Sequence, residues 1–431
     1  MRSGFQQDFD RIVFSSIFRR LQNKTQVLPF PKSDYVRNRL THSLEASSVG
    51  RSLGTIAGKD VIERYPSIEN ELGIKPQDFG NMVSSACLAH DIGNPPFGHS
   101  GEDAINLYFK SDRAQQFLEG LSTKQKADLQ NFEGNSSGFR LIASTLDTQS
   151  SPSVGLHLTY GTYGTYCKYP KEVLPNREDE RKASLTKYGL FQTEVKFFKK
   201  IAKELSLISQ NTHNNDIAYK RFPLAFLVEA ADDICYRIID FEDGYNMGLI
   251  SFKKITEHYI SILKICQNSK FKKKLDQIID KRSIITYLRS LIIYELIYRT
   301  SKIFLKNEDG ILDGSYDKPL IKSLDPELVK ILNEIKSISK KKIYKSQTVI
   351  KIEAAGFKVI PFLLHTFVKS RLAKRDYEGR NQILGLLPAQ YHTGKNNYEK
   401  ILNTVMFISS MTDRYAVDLY RNLKGIELAD Y

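Results

Sequence analysis

The chain has 431 residues, 41% of them apolar and 26% charged, and carries a formal net charge of +14. That length and composition suit a globular protein able to bury a large core around a deep site. The four scattered cysteines, with no CxxC spacing, exclude a disulfide framework and read as reduced packing thiols.

The opening MRSGFQQDFDRIVFSS lacks the apolar run of a signal peptide, so a cytoplasmic location is expected. Apolar residues then recur at spacings of three and four, the mark of amphipathic helices. RIVFSSIFRRLQ (11–22) is the first such stretch, and RLTHSLEASSVGRSLGTIAGKDVIERY (39–65) is the second. The apolar helix MVSSACLAH ends at His90-Asp91, where Gly93 to Pro96 breaks it, because proline lacks the N–H a helix needs. SGEDAINLYF can follow as a helix start beyond this break. The Gly/Tyr/Thr-rich LHLTYGTYGTYCKYP (156–170) reads as a loop or a short hairpin. PNREDERK (175–182) reads as a surface loop.

FPLAFLVEAADDICYRIIDFEDG (222–244) is a strongly apolar helix interrupted by Asp232-Asp233. SLIIYELIYRTSKIFL (290–305) is cut by Glu295, Arg299 and Lys302, so it predicts no membrane span. KNEDGILDGSYDKP (306–319) predicts a surface loop and the boundary between a catalytic core, 1–305, and a C-terminal helical region, 306–431. YEKILNTVMFISSMTDRYAVDLYRNLKG (398–425) carries the same helical periodicity. The expected fold is all-α, with few or no strands.

Three segments offer neutral imidazole and carboxylate ligands of the kind hydrolytic divalent metals use. They are His42 on the second helix, the pair His90-Asp91, and Asp232 or Asp233. Each alone has an ordinary explanation as a core histidine or a capping acid. Together they interrupt runs that otherwise read as core, and buried charges need partners. One metal would serve all three segments. His99 and Glu102 lie three residues apart, on one helix face if SGEDAINLYF is helical. A carboxylate beside a histidine orients the ring and raises its pKa, which suits a general acid or base; a simple helix cap is the alternative.

This ordered set, His … His-Asp … Asp, resembles the HD superfamily of metal-dependent phosphohydrolases. More narrowly, the chain resembles the deoxyguanosine triphosphate triphosphohydrolases over nearly its whole length. The resemblance runs through FRRLQNKTQV, RLTHSLE, HDIGNPPFGHSGE, FEGN, LTYGTYGTYCKYP, KYGLFQTE, RFPLAFLVEAADDICY and MTDRYAVDLYRNLKG. It implies metal ligands His42, His90, Asp91 and Asp232. Asp232 is preferred because the family's ligand stands four residues before a tyrosine and eight before an aspartate, here Tyr236 and Asp240. It implies catalytic roles for His99 and Glu102.

Phosphate contacts are implied for Arg39, Lys168, Tyr169 and Lys187, and sugar contacts for Gln26, Tyr236 and Asp240. The implied cofactor is Mn2+ or Mg2+, with Fe2+, Co2+ or Zn2+ as alternatives. The implied reaction is hydrolysis of a deoxynucleoside triphosphate, dGTP foremost, at the α-phosphorus. A 5′-nucleotidase or phosphodiesterase, or a nucleic-acid-binding regulator with a degenerate site, is the competing reading. Many relatives have histidine where FEGN has Gly134, and the dGTPases proper tend to have glycine there.

Much of the positive charge lies in runs such as KFKKKLDQIIDKR and SISKKKIYK, which read either as solvated helix faces or as attraction to polyanions. The family resemblance implies a homo-oligomer, commonly a hexamer. Repetition of the charge around a ring would favour single-stranded DNA or a nucleotide effector as a further partner. No membrane partner is expected.

Overall fold

The computed structural model describes residues 2–26, 36–143, 155–173, 183–210, 216–268, 272 and 275–426. Among them the structure is helical, with isolated β-bridges in place of any strand. The expected all-α fold is present. The helices of eight or more residues are α1 (Gly4–Phe14), α2 (Arg39–Arg64), α3 (Pro76–Ala89), α4 (His99–Lys110), α5 (Thr123–Gln130), α6 (Gly134–Ala143) and α7 (Val195–Glu204). They continue with α8 (Ala225–Asn246), α9 (Phe252–Ile265), α10 (Lys281–Lys306), α11 (Pro326–Lys342), α12 (Gln347–Leu372), α13 (Asn397–Ser409) and α14 (Asp413–Lys424). None of these is long and apolar enough to cross a membrane.

The pairing of α2 with α3 is the centre of the fold. Gly50, Gly54 and Gly58 recur every four residues, so they form one stripe along α2. A Cβ added at Gly50 would meet Cys87 Sγ at 2.6 Å, and one at Gly54 would meet the Phe79 carbonyl at 2.7 Å. The bare stripe lets the two helices touch almost backbone to backbone; overfilling such contacts costs about 1–3 kcal/mol. Asn38 starts α2 by accepting from Thr41 N at 3.0 Å, while Thr41 Oγ1 accepts from Asn38 N at 3.1 Å. Helix α8 then packs across both α2 and α3, and α12 lies against α4 and α13. His42, Asp91 and Asp232 therefore converge because three helices share one core.

Three local expectations need correction. The stretch 11–22 is not one helix. Ser15 is extended and accepts from Phe18 N at 3.2 Å, so it caps a new helical turn instead of continuing α1. The periodic stretch 398–425 forms α13 and α14, and Thr412 caps α14 through Tyr415 N.

Residues Tyr160–Tyr166, read as loop or hairpin, form a short helix capped by Thr159. Its glycines face Met82 and Phe5 at Gly161, and Leu205 and Phe222 at Gly164. Tertiary packing has overridden a composition that favours turns. Within 306–319, Glu308–Leu312 is a helical turn, followed by Gly314 at φ +73°. The segment 175–182 lies among the residues not described.

Candidate active site

The first turn of α2 supplies Arg39 and His42, the end of α3 supplies His90 and Asp91, and the second turn of α8 supplies Asp232. His42, His90 and Asp91 are buried and bring one ligand atom each within 4.8 Å of one another. Asp232 Oδ1 lies 3.3 Å from His42 Nε2 and 3.5 Å from His90 Nε2. His90 Nδ1 is 2.6 Å from the Cys87 carbonyl oxygen, which only accepts. Nδ1 therefore carries the proton, and the Nε2 lone pair points toward the carboxylates, the arrangement a metal-ligating histidine needs.

Asp91 is held from behind: Arg39 Nη1 donates to Oδ2 at 2.7 Å and Asn94 Nδ2 to Oδ1 at 2.5 Å. Burial opposes the charge on Asp91, but Arg39 and the histidines outweigh it and hold the carboxyl well below the usual range. Asp232 is likewise held low against its burial, by His90 and Lys168. Burial also opposes a proton on His42, yet Asp232, Asp91 and Asp240 raise it to about 9. Two ionised carboxylates thus draw positive charge onto the buried His42 imidazole. His42 Nδ1 has no partner among the described residues.

A cavity of about 410 Å³ opens in front of this cluster. Its wall carries five carboxylates (Asp91, Asp232, Asp233, Glu133 and Glu353) against three fixed cations (Arg39, Lys168 and Lys187). Such a wall repels a polyanion until a divalent cation offsets the excess. The mixed imidazole–carboxylate set fits that cation on charge and on donor chemistry.

His99 begins α4 at the cavity mouth, its side chain 84% exposed. Its Nδ1 lies 3.1 Å from Glu102 Oε2, and that hydrogen bond raises its pKa despite partial burial. Glu102 is buried and accepts from Gly134 N at 2.9 Å through its other oxygen. A Cβ on Gly134 would meet Glu102 Oε1 at 2.7 Å and Asn94 Oδ1 at 2.4 Å. Glycine in FEGN thus lets a backbone amide reach the acid that orients His99.

The cations are matched with carboxylates. Lys168 Nζ donates to Asp232 at 3.3 Å, and Lys187 Nζ donates to Glu133 at 2.9 Å. Gln26 and Tyr169 line the same cavity, and Gln26 Oε1 is buried without a partner among the described residues. Tyr236 stacks on Tyr344, ring centroids 5.5 Å apart and planes 26° from parallel. Tyr344 OH donates to Asp240 at 2.7 Å, and burial pushes the Asp240 carboxyl up to about 7.

Every residue singled out in the sequence lies on this wall or directly behind it. His42, Glu102 and Asp240 form the rear layer. Sequence reasoning missed Asn94, Glu133, Tyr344 and Glu353, all of which line the cavity or brace it. The first two stand inside motifs already noted, GNPPF and FEGN. Tyr344 and Glu353 follow a lysine-rich run and carry no local signal.

Comparison with known proteins places the chain among relatives of similar length. Residues 323–422 match the phosphohydrolase-associated domain. A deoxyguanosinetriphosphate triphosphohydrolase-like protein of Synechocystis is 40% identical over 99% of this chain and 95% of its own length. A like-named protein of Pseudomonas aeruginosa is 34% identical over 98% of this chain and 94% of its own. The deoxyguanosinetriphosphate triphosphohydrolase of Yersinia enterocolitica is 29% identical, again over 98% and 94%. With similarity of up to 40% identity over nearly the whole length of both chains, the chain belongs to the deoxyguanosinetriphosphate triphosphohydrolase family.

Proposed function

We propose that the chain hydrolyses deoxynucleoside triphosphates, dGTP foremost, at the α-phosphorus, releasing deoxynucleoside and inorganic triphosphate. The observation that carries this reading is the shared wall: an imidazole–carboxylate cluster, an acid-oriented histidine and three cations face one cavity. His42, His90, Asp91 and Asp232 would hold a divalent cation. When bound, it supplies Lewis-acid polarisation of a phosphoryl oxygen and a more acidic water. Two imidazoles beside two carboxylates suit Mn2+ better than Mg2+, which favours an all-oxygen shell.

The remaining chemistry belongs to the side chains. Arg39, Lys168 and Lys187 orient the triphosphate and stabilise the charge that spreads over its oxygens. Water attacks the α-phosphorus in line; the P–O5′ bond breaks, and the leaving oxygen takes its electron pair and a proton from His99. Glu102 holds His99 in the donating orientation. Stacked Tyr236 and Tyr344 face C2′ of the sugar, and Asp240 accepts from its 3′-OH.

The test is product analysis with dGTP. Deoxyguanosine and intact triphosphate are expected. Release of pyrophosphate or single phosphates would instead place cleavage elsewhere and favour a nucleotidase or phosphodiesterase.

The stacked tyrosines carry a second expected result. GTP should show kcat/KM about 10²-fold below dGTP, the scale set by one unaccommodated hydroxyl. Comparable values for the two would remove the sugar-selective role of Tyr236.

Beyond the single subunit, we propose a cytoplasmic homo-oligomer, a hexamer, with a division between core and C-terminal region near residue 306. Helix α14 covers most of its apolar face within its own subunit, Tyr420 packing on Phe362 at 5.0 Å. The exposed Tyr294 and Tyr298 on α10 offer other surface for assembly. The +14 charge supports single-stranded DNA or a nucleotide as an effector.

A further inference from the structure

Asp413, the first residue of α14, is distant in sequence from every residue of the proposed chemistry and does not line the cavity, yet it is 2% exposed. Its two oxygens bond two different segments of the cavity wall. Oδ2 accepts from Thr25 N at 3.0 Å, and Oδ1 accepts from Phe97 N at 3.0 Å. Thr25 and Gln26 line the cavity, and so do Phe97 and Gly98.

Lys24 doubles the link. Its buried Nζ donates to Asn94 O at 2.5 Å and to Ser409 O at 2.7 Å, just before α14. Thus one end of the C-terminal helix ties the 24–26 segment to the 94–98 turn.

The turn needs such a tie. Phe97 has φ +65°, a conformation that a bulky non-glycine residue rarely adopts. Backbone of this kind persists only where its surroundings over-determine it. The Asp413 bond falls on the strained residue itself, and His99 stands two residues later. Phe97 also packs on Gly356 of α12, where a Cβ would meet its ring at 3.1 Å.

We propose that Asp413, supported by Lys24, is a positioning residue for the reaction. It holds the Phe97–Gly98 turn so that His99 is presented to the leaving oxygen, and it never touches substrate. This inference rests on the acid–base role assigned to His99 under the proposed function.

The experiment is a double-mutant cycle in the full-length, metal-loaded protein. Asp413→Asn keeps the volume but sets an amide donor against a backbone N–H. It is expected to lower kcat by about 10²-fold, the cost of misplacing a catalytic group by roughly 1 Å, with bound metal unchanged. In a His99→Ala background the same substitution is expected to cost almost nothing, because the group it positions is gone.

An equal loss in both backgrounds would show a merely structural role and overturn the proposal; so would an unaltered kcat. Should Asp413→Asn fail to fold, Asp413→Glu retains the charge and displaces it by one methylene. Its smaller loss must vanish in the same way. If His99→Ala alone keeps its rate, the acid–base reading fails and takes this inference with it. If His99→Ala loses rate and Asp413→Asn does not, only the positioning role fails.

Discussion

Asp232→Ala is expected to lose bound divalent metal and dGTP turnover together, whereas Asp233→Ala should keep both within a few-fold. The two residues are neighbours on α8, but helix geometry turns them about 100° apart. Asp232 reaches both imidazoles, at 3.3 and 3.5 Å. Asp233 is 3.8 Å from Arg237, and burial pushes its carboxyl up to about 6.

Residues that merely brace a ligand cost 10- to 100-fold in metal affinity when removed. Removing the carboxylate itself should exceed that, by more than about 10²-fold. His42→Ala, His90→Ala and Asp91→Ala should behave as Asp232→Ala does. Elemental analysis of purified variants beside a turnover assay checks this directly. Metal retained in Asp232→Ala but lost in Asp233→Ala would move the ligand register by one residue.

The contrast between those neighbours explains what could be read from the sequence. A helix that buries one face repeats its apolar residues every three or four positions, so α2, α8 and α13 were visible as patterns. His42, His90-Asp91 and Asp232 were visible because they are charged or polar where the pattern demands apolar residues.

The break at Ser15 was not visible. A single hydroxyl caps a helix only when the chain actually turns there, and the periodicity continues on both sides. The short helix Tyr160–Tyr166 was hidden for the opposite reason, its glycines being selected by neighbours far away in sequence. Glu353 and Tyr344 carry no signal because their importance comes from α12 and the segment before it closing over the cavity. Lys24 and Asp413 are ordinary charged residues until the fold buries both, 389 positions apart, against the same turn. Local chemistry was legible, while the braces between distant segments had to be seen.

His99→Ala is expected to keep its metal and its nucleotide binding while losing about 10²–10⁴-fold in kcat, the usual range for a general acid or base. Its ring contributes no buried packing, since most of the side chain is open to solvent at the cavity mouth. Its ion pair with Glu102 therefore adds little to stability, and the melting temperature should barely change. The sign of the pH dependence follows from the same pair.

The hydrogen bond to Glu102 raises the His99 pKa, so the protonated, donating form persists to higher pH than in a free histidine. If His99 protonates the leaving oxygen, kcat falls as pH rises through that raised value. Glu102→Gln removes the charge and leaves one acceptor oxygen for two donors, Gly134 N and His99 Nδ1, so the alkaline fall should move to lower pH with metal content unchanged. A histidine acting as a base would show the reverse: activity lost on the acidic side, with Glu102→Gln extending it downward in pH. Loss of metal in His99→Ala equal to that in Asp232→Ala would make His99 a ligand, and the division of labour between His90 and His99 would fail.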